Sequence, residues 1–492
     1  LQPIAEKMLR GRLSELSAYG VENGSVVILE NKTGKIRVLV GSNNFLDKDH
    51  AGQVNGALSK RSPGSCLKPF TYAIGFDLGL YAPRMILADV PVQYQGYAPL
   101  DYSKKFKGPV TVRESLANSL NVPAVEVLQK AGYQKLYTFL KQAGIITLNK
   151  QPEQYGLSLT LGTAEVRLLE LVNAYAVLAR LGSFHPYTSL EKEVSAKQER
   201  LMSDGAAYLV ADILEDSERL AASGFVGNRQ SLPRVAWKTG TSYGNHDAWT
   251  VAYNPEYTVG VWLGNFSGKP SKSLVGIEAA APVALRLFER IYAGKSAPWY
   301  EKPASVGTRK VCLLSGEPVS AICPHSADDF FISGTTLDRQ CSIHKKYLID
   351  DETGLAVDAI AKGHSASEKV YEVWPQAIHT WLEQHDLAYV APPVTENGMD
   401  MARSWEGANP KILSPANQCE YFLDPSRKVD QRLVLKADGS YDAHKLFWFI
   451  NGQYVNEGRA GEDFFWPMYE GHHRITVTDD YGRSSSVVIS VR

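Results

Sequence analysis

The sequence predicts an α+β domain, in which an antiparallel sheet is flanked by helices, followed by a C-terminal β-sandwich of immunoglobulin-like type. Strand-like runs occur near both ends of residues 25–300 and helical patterns dominate between them, an order typical of α+β folds. Residues 409–492 form short alternating runs, with turn residues about every ten positions. We therefore expect four segments: a lead-in helix and linker (1–24), the α+β domain (25–300), a cysteine-containing connecting region (301–400) and the sandwich (401–492).

The first half of the α+β domain is expected to hold a hairpin and then helices. After a polar helix in residues 1–22, two strand-like runs in GSVVILENKTGKIRVLVGS flank the turn 31–34. Ser65 is expected to cap a helix running through PFTYAIGFDLGL. Pro123 suits the first turn of a further helix.

The second half is expected to pass from helices back to strands. Residues 164–181 are apolar nearly all round and stop at Gly182, which is typical of a helix buried in a domain centre. Another helix, capped by Ser203, is predicted next. The remaining predictions are a helix over 204–216, strands over 235–242, 247–254 and 257–264, and a closing helix over 278–293.

The connecting region has weaker patterns. Residues 301–370 are predicted to be irregular, a short amphipathic helix is predicted over 375–386, and a linker begins near Ala391. In the last domain, Trp448 and Trp466 are expected at the core and edge of the sandwich, with a carbohydrate- or protein-binding face as the alternative.

Composition excludes some classes of function. The chain has 492 residues with 52 basic and 53 acidic side chains, a formal net charge of -1, and no basic stripe with interleaved aromatics. We therefore expect no nucleic-acid partner. No run of 18 apolar residues could span a membrane, and the sequence starts at Leu1. We interpret it as a processed or excised fragment.

Three short motifs form the candidate catalytic site: Ser65-Cys66-Leu67-Lys68, Ser119-Leu120-Asn121 and Lys238-Thr239-Gly240. Each is weak alone, because S-x-x-K recurs at 189–192 and 342–345, S-x-N at 42–44 and K-T-G at 32–34. Only one choice runs in the order S-x-x-K, S-x-N, K-T-G. We therefore treat these three as one site.

The spacing suits nucleophilic catalysis by serine. Residues three apart at the start of a helix share a face, so Lys68 can reach the Ser65 hydroxyl. Serine needs a neighbour to take its proton, and a desolvated lysine is a suitable base. A helix N-terminus adds positive potential where an oxyanion would form. Lys238-Thr239-Gly240-Thr241 lies in a strand-like run that can pair with an extended peptide.

With these motifs the sequence resembles the penicillin-binding proteins and class A β-lactamases, whose signatures are S-x-x-K, S-D-N and K-T-G. SPGSCLKPF, ANSLNVPAVEVLQKAG, LSLTLGTAEVRLLELVNAYAVLARLG and WKTGTSYGNHDAWTVAYNPEYTVGVWLGN are similar to that family's corresponding segments. The cysteine-containing stretch and the terminal sandwich resemble the 1C subgroup of the bifunctional, class A penicillin-binding proteins. The resemblance covers most of the chain.

The resemblance implies a D,D-transpeptidase that crosslinks peptidoglycan stem peptides and binds β-lactams covalently. It implies Ser65 as the nucleophile, Lys68 as its base, and Ser119 and Lys238 as a proton relay. Asn121, Thr239, Gly240 and Thr241 would bind substrate, and the backbone amides of Ser65 and Thr241 would form the oxyanion hole. No cofactor is implied.

The resemblance also implies a setting for the protein. It would be periplasmic, its parent anchored to the inner membrane by an N-terminal segment, and the C-terminal domain would offer a site for a cell-wall protein partner. No acidic glycosyltransferase motif precedes residue 25, so we do not expect glycan polymerisation.

Three rival functions remain open. A carboxypeptidase would pass the acyl group to water, a β-lactamase would need a deacylating glutamate that we do not identify, and a receptor would be acylated only as a signal. Leu120 stands where β-lactamases have Asp, which favours the transpeptidase.

The cysteines and the histidines suggest further sites. Cys312, Cys323, Cys341 and His344 suggest a disulfide more than a zinc site or free thiols, because we expect an oxidising compartment. We assign no metal, and we expect Cys419 either to pair with the cysteine left over or simply to be buried. Cys66 is expected to point into the core. His246-Asp247 suggests a structural or rim role rather than a triad.

Overall fold

The computed structural model describes the chain except for residues 92–98, 100–104, 190–197, 216–231, 272–273, 358–359, 361, 386, 392, 394–408, 424–430, 440–442, 444 and 480–482. The described helices lie mainly in the first 300 residues. They are α1 (Gln2–Leu16), α2 (Lys68–Asp77), α3 (Val112–Ala117), α4 (Asn121–Ala131), α5 (Tyr133–Gln142), α6 (Pro152–Tyr155), α7 (Leu168–Ala179), α8 (Asp204–Leu214), α9 (Gly276–Ala279), α10 (Ala281–Ile291) and α11 (Gln376–Gln384).

The described strands form one large sheet, several hairpins and a terminal pair of sheets. They are β1 (Asn23–Glu30), β2 (Ile36–Val40), β3 (Ile86–Asp89), β4 (Gly108–Thr111), β5 (Ser183–Phe184), β6 (Glu199–Arg200), β7 (Ala236–Thr241), β8 (Asp247–Tyr253), β9 (Tyr257–Gly264), β10 (Val306–Cys312), β11 (Ser326–Ile332), β12 (His344–Asp350), β13 (Ala366–Glu372), β14 (Lys411–Ser414), β15 (Glu420–Tyr421), β16 (Arg432–Asp438), β17 (Leu446–Ile450), β18 (Gln453–Gly458), β19 (Phe464–Pro467), β20 (Gly471–Asp479) and β21 (Ser484–Val491).

The central sheet has the strand order β2-β1-β9-β8-β7, and every neighbouring pair is antiparallel. Successive side chains of a strand point to opposite faces, so β1 supplies both sides of the sheet. Val27 and Leu29 join the core on the side of α7, whereas Val26 and Ile28 join the core that α1 and α10 cover. The expected α+β architecture is confirmed.

Helix α7 occupies the centre of the larger core. All twelve of its residues are buried, in agreement with the apolar pattern seen in the sequence. It packs on β1 and β9, with α8 beside it. Helix α8 begins as expected, because the Ser203 side chain accepts a hydrogen bond from the amide of Ala206.

Helix α1 is more than a connection. Ala5, Leu9, Leu13 and Leu16 are buried, and they pack against the sheet face opposite α7. The polar surface of this helix hid that apolar stripe in the sequence.

The prediction of irregular chain over 301–370 is wrong. Strands β10 and β11 form one antiparallel hairpin, and β12 and β13 form a second. Their side chains are exposed or half-buried at most positions, so polar residues such as those in HKKYLID mask the period-two pattern. The expected short helix is confirmed as α11, and most of the expected linker lies outside the described residues.

The C-terminal part is a β-sandwich, as expected. A three-stranded sheet in the order β14-β16-β19 and a five-stranded sheet in the order β15-β21-β20-β17-β18 share one apolar core. Trp448 and Trp466 are both buried in it. In the described part of the chain, no helix combines the length and apolar character needed to cross a bilayer.

Candidate active site

Ser65 lies in a single 3-10 turn, Gly64–Leu67, that leads directly into α2. The expectation that Ser65 caps the helix is therefore corrected: Pro63 precedes the 3-10 turn and α2 begins at Lys68. Ser65 is half-buried, whereas Gly64, Cys66 and Leu67 around it are buried. The turn thus leaves Ser65 the most accessible residue of its segment.

Strand β7 passes very close to this turn. Gly64 has φ +53, and a Cβ built there would lie 2.4 Å from the carbonyl oxygen of Thr241 and 2.9 Å from its amide nitrogen. A Cβ at Gly240 would lie 2.1 Å from the carbonyl oxygen of Pro63. Glycine at both positions is what allows the two backbones to approach, and it brings the Thr241 amide next to the turn that carries Ser65.

Lys68 is fully buried and surrounded by acceptors from the second motif. Its Nζ donates to the carbonyl oxygens of Ser119 and Leu120, at 2.5 Å and 2.9 Å, and to Oδ1 of Asn121 at 2.6 Å. It also lies 3.5 Å from Oγ of Ser119. These contacts hold the Lys68 amine against the second motif.

Lys238 contacts the same serine. Its Nζ donates to Oγ of Ser119 at 2.7 Å and to the carbonyl oxygen of Thr239 at 2.8 Å, and its side chain is fully buried. Ser119 therefore lies between two buried lysine amines. That arrangement can pass a proton across the site in either direction.

A strained backbone presents Ser119 to the lysines. Ser119 has φ +60, a left-handed conformation that is uncommon outside glycine, in the loop between α3 and α4. Asn121 is the first residue of α4, and Pro123 follows in its first turn, as expected.

The third motif lies on an open edge of the sheet. Among the residues that the structure describes, β7 pairs only with β8, so its other edge can accept an extended peptide. Thr239 and Thr241 are half-buried on this strand. The hydroxyl of Thr241 accepts a hydrogen bond from the amide of Gly276 at 3.0 Å, which directs its own hydrogen to another acceptor.

Cys66 packs into the core, as expected. It is fully buried, its Sγ lies 3.9 Å from the carbonyl oxygen of Lys238, and burial raises the pKa of its thiol to about 12. Tyr175 of α7 donates to the Cys66 carbonyl at 2.6 Å. The residue after Ser65 thus ties the turn to the central helix.

Comparison with known proteins identifies the family. A sequence model described as the penicillin binding protein transpeptidase domain matches residues 24–289, which include all three motifs. The chain belongs to the penicillin-binding protein transpeptidase family. A second model, described as the penicillin-binding protein C-terminus family, matches residues 400–489.

Curated proteins and solved structures are similar to large parts of the chain. Penicillin-binding protein 1C of Escherichia coli K12 is 29% identical over 97% of this chain and 62% of its own length. The fold is similar to penicillin-binding protein 1A of Haemophilus influenzae, with TM-score 0.55 and 21% identity over 65% of this chain and 54% of that one. It is also similar to PonA1 of Mycobacterium tuberculosis in complex with penicillin V, with TM-score 0.52 and 21% identity over 62% of this chain and 86% of that one. The chain thus spans less than two thirds of the length of the curated 1C relative.

The structure also separates the His246-Asp247 pair of this transpeptidase-family chain. Nδ1 of His246 contacts the carbonyl oxygen of Gly268 at 2.6 Å, whereas Oδ1 of Asp247 accepts from the indole of Trp262 at 2.9 Å. The two side chains serve different neighbours, which favours the structural role over a triad.

Sequence reasoning missed two residues beside the site. The amide of Gly276, at the start of α9, donates to the Thr241 hydroxyl, and Tyr243, two residues beyond the end of β7, is fully exposed. Gly276 lies 35 residues from its partner, so no local pattern marked it. Tyr243, in contrast, could have been considered from the sequence, because it lies close to the third motif.

We expect Gly240→Ala to disrupt the site because the new Cβ would meet the backbone of Pro63 at 2.1 Å and Sγ of Cys66 at 2.8 Å. The free energy of unfolding should fall by about 1–3 kcal/mol, and the turn carrying Ser65 should shift. Chemical denaturation measures the first effect. Gly11→Ala in α1 is the control, because no atom lies within 4 Å of its Cβ and a helical alanine is favoured. Equal stability of the two variants would contradict this packing.

Proposed function

We propose that the chain is a peptidoglycan D,D-transpeptidase acting through a Ser65 acyl-enzyme. The observation that carries the proposal is the placement of Ser119 between two buried amines, with Nζ of Lys238 at 2.7 Å and Nζ of Lys68 at 3.5 Å. A relay of this kind can carry a proton to the leaving amine when a nucleophilic serine attacks a peptide bound at the open strand edge. Membership of the transpeptidase family supports the same reaction.

In the first step, Oγ of Ser65 attacks the carbonyl carbon between the two terminal D-Ala residues of a stem peptide. Lys68 acts as the neutral amine, which donates two hydrogen bonds to its acceptors and uses its lone pair to take the proton of the Ser65 hydroxyl. The backbone amides of Ser65 and Thr241 stabilise the oxyanion. The close approach of β7 to the Ser65 turn is the geometry that supports this pairing.

In the second step, the peptide C–N bond breaks and the terminal D-Ala leaves. Its nitrogen receives a proton through Oγ of Ser119, which Lys238 and Lys68 flank. An acceptor amine then attacks the ester carbon of the acyl-enzyme. The new peptide bond forms as the ester C–O bond breaks, and the proton lost by the acceptor amine returns to Oγ of Ser65 through Lys68.

Substrate binding uses the edge of β7. The donor peptide would lie along this strand, and Gly240 keeps the strand close to the turn that carries Ser65. The positive Lys238 and the hydroxyls of Thr239 and Thr241 suit the terminal carboxylate. Asn121 accepts from Lys68 through Oδ1, so its amide nitrogen is the group that would donate to a substrate carbonyl.

The same site would take β-lactams, whose strained amide and carboxylate resemble a D-Ala-D-Ala terminus. Opening of the ring by Ser65 keeps the leaving amine attached, so the acyl-enzyme would persist. The solved neighbour in complex with penicillin V belongs to the same fold.

We further propose that the chain works in the periplasm, on the cell wall, and that its C-terminal domain offers a surface for a cell-wall protein. We also propose that the four segments of the chain have the limits expected from the sequence, 1–24, 25–300, 301–400 and 401–492.

The test incubates the purified chain with a synthetic stem peptide ending in D-Ala-D-Ala and an acceptor amine. We expect the wild-type chain to release D-Ala and to form a crosslinked product. Ser119→Ala should retain at most about 1% of the wild-type rate of both reactions. Mass spectrometry of the products and an enzymatic D-Ala assay measure the two quantities.

The outcomes separate the rivals. D-Ala release without crosslinked product would indicate a carboxypeptidase, and rapid turnover of penicillin would indicate a β-lactamase. A chain that is acylated by penicillin yet ignores stem peptides would indicate a receptor. Each of these results would overturn the transpeptidase proposal.

A further inference from the structure

Three cysteines and one histidine converge at a point between the two hairpins β10–β11 and β12–β13. Cys312 ends β10, Cys323 lies in the loop before β11, Cys341 precedes β12 and His344 begins it. One ligand atom from each residue lies within 4.8 Å of all the others. All five cysteines of the chain are free thiols in the structure, so the disulfide expected from the sequence is not formed.

We propose that these four residues, which we call the Cys₃His cluster, bind a structural zinc ion. Nδ1 of His344 lies 3.4 Å from Sγ of Cys312 and 3.4 Å from Sγ of Cys341. In a tetrahedral zinc site, bonds of roughly 2.3 Å to sulfur and 2.1 Å to nitrogen place these atoms roughly 3.6 Å apart. The two observed separations therefore need almost no adjustment to admit the ion.

The surroundings favour thiolates over a disulfide. Cys312, Cys341 and His344 are buried, with exposed fractions of 1%, 7% and 5%. Sγ of Cys323 accepts from the amide of Ser320 at 3.3 Å and lies 3.2 Å from the hydroxyl of the same residue. Donors aimed at sulfur stabilise a thiolate ligand. A disulfide would use only two of the three sulfurs and would leave His344 without a role.

The location explains why an ion is useful. Each hairpin is a two-stranded sheet, which has little stability by itself. The local apolar core is small, because it has eight buried members and two of these are Cys312 and Cys341 themselves. Zinc would join the end of β10 to the start of β12 and so fix one hairpin against the other. Four protein ligands leave no open position, which indicates a structural rather than a catalytic ion.

The first measurement is the metal content and thiol count of the whole chain, exported to an oxidising compartment and purified without reductant or chelator. We expect about one zinc per chain by elemental analysis. After denaturation in chelator, all five cysteines should react with an alkylating reagent. A chain without zinc that is lighter by the mass of two hydrogens and has three reactive thiols would contain a disulfide and would overturn the proposal.

Variants assign the ligands. Cys312→Ser and His344→Ala should each lose at least about 90% of the bound zinc, because removing a ligand from a closed site sharply weakens binding. Cys419→Ser is the matched control and should keep it, because Cys419 lies outside the cluster. Retention of zinc by the first two variants would contradict the assignment.

Cobalt provides a test that does not depend on the folding of a variant. The wild-type chain, stripped of zinc and given Co²⁺, should show thiolate-to-metal charge transfer and the visible bands of a tetrahedral ion. An octahedral spectrum without thiolate bands would overturn the proposal. None of these measurements involves Ser65, so their results are independent of the transpeptidase proposal.

Discussion

Replacing Ser65 with alanine should abolish the stable mass increase that a penicillin produces on the wild-type chain. The hydroxyl at Ser65 is the only atom we assign to attack on the lactam carbonyl, and loss of a catalytic serine costs on the order of 10⁶-fold in rate. Intact-protein mass spectrometry after incubation with penicillin measures the adduct. The change removes one oxygen from a half-buried side chain, so folding should be preserved.

Ser189→Ala is the control for this experiment. Ser189 begins another S-x-x-K motif, it is exposed, and it falls outside the ordered trio. It should therefore acylate like the wild type. An adduct that persists in Ser65→Ala and disappears in Ser189→Ala would mean that the order of motifs misidentified the nucleophile.

Lys68→Met should slow acylation by about 10²–10⁴-fold, the usual contribution of a positioned general base. Methionine fills a similar volume in this fully buried position but cannot take the Ser65 proton. The rate of adduct formation, quenched at intervals and read by mass, gives the effect. Lys60→Met is the control, because Lys60 is an exposed lysine on the approach to the same turn.

The same variant should also lose stability. Lys68 donates to the carbonyl oxygens of Ser119 and Leu120 and to Oδ1 of Asn121, and these acceptors would be left without that donor. Unsatisfied buried acceptors cost about 1–3 kcal/mol. An acylation rate equal to that of the wild type, in a variant shown by circular dichroism to be folded, would exclude Lys68 as the base.

Local sequence patterns predicted those elements whose cause is local. Ser203 accepts from the amide three residues on, and the apolar run in α7 is buried along its whole length. The hairpins β10–β11 and β12–β13 escaped prediction because their side chains are polar on both faces and their pairing depends on residues distant in the chain. Apolar alternation, the usual signal of a strand, is absent there.

For the candidate site, the sequence by itself determined which residues to consider, because only one set of the three motifs runs in the required order. It also indicated the family, through segments that surround those motifs. Only the tertiary structure decided how the residues meet. Lys68 and Lys238 reach Ser119 across 51 and 119 positions of chain, and glycines at 64 and 240 let β7 approach the Ser65 turn.

The cysteines show the same division. Their spacing along the chain left a disulfide, a metal site and free thiols open, because spacing says nothing of where side chains point. The fold brings the atoms of Cys312, Cys323, Cys341 and His344 within 4.8 Å of one another. Sequence thus supplied the chemical groups, and the packing of two hairpins decided that they converge, since convergence depends on contacts that no local pattern encodes.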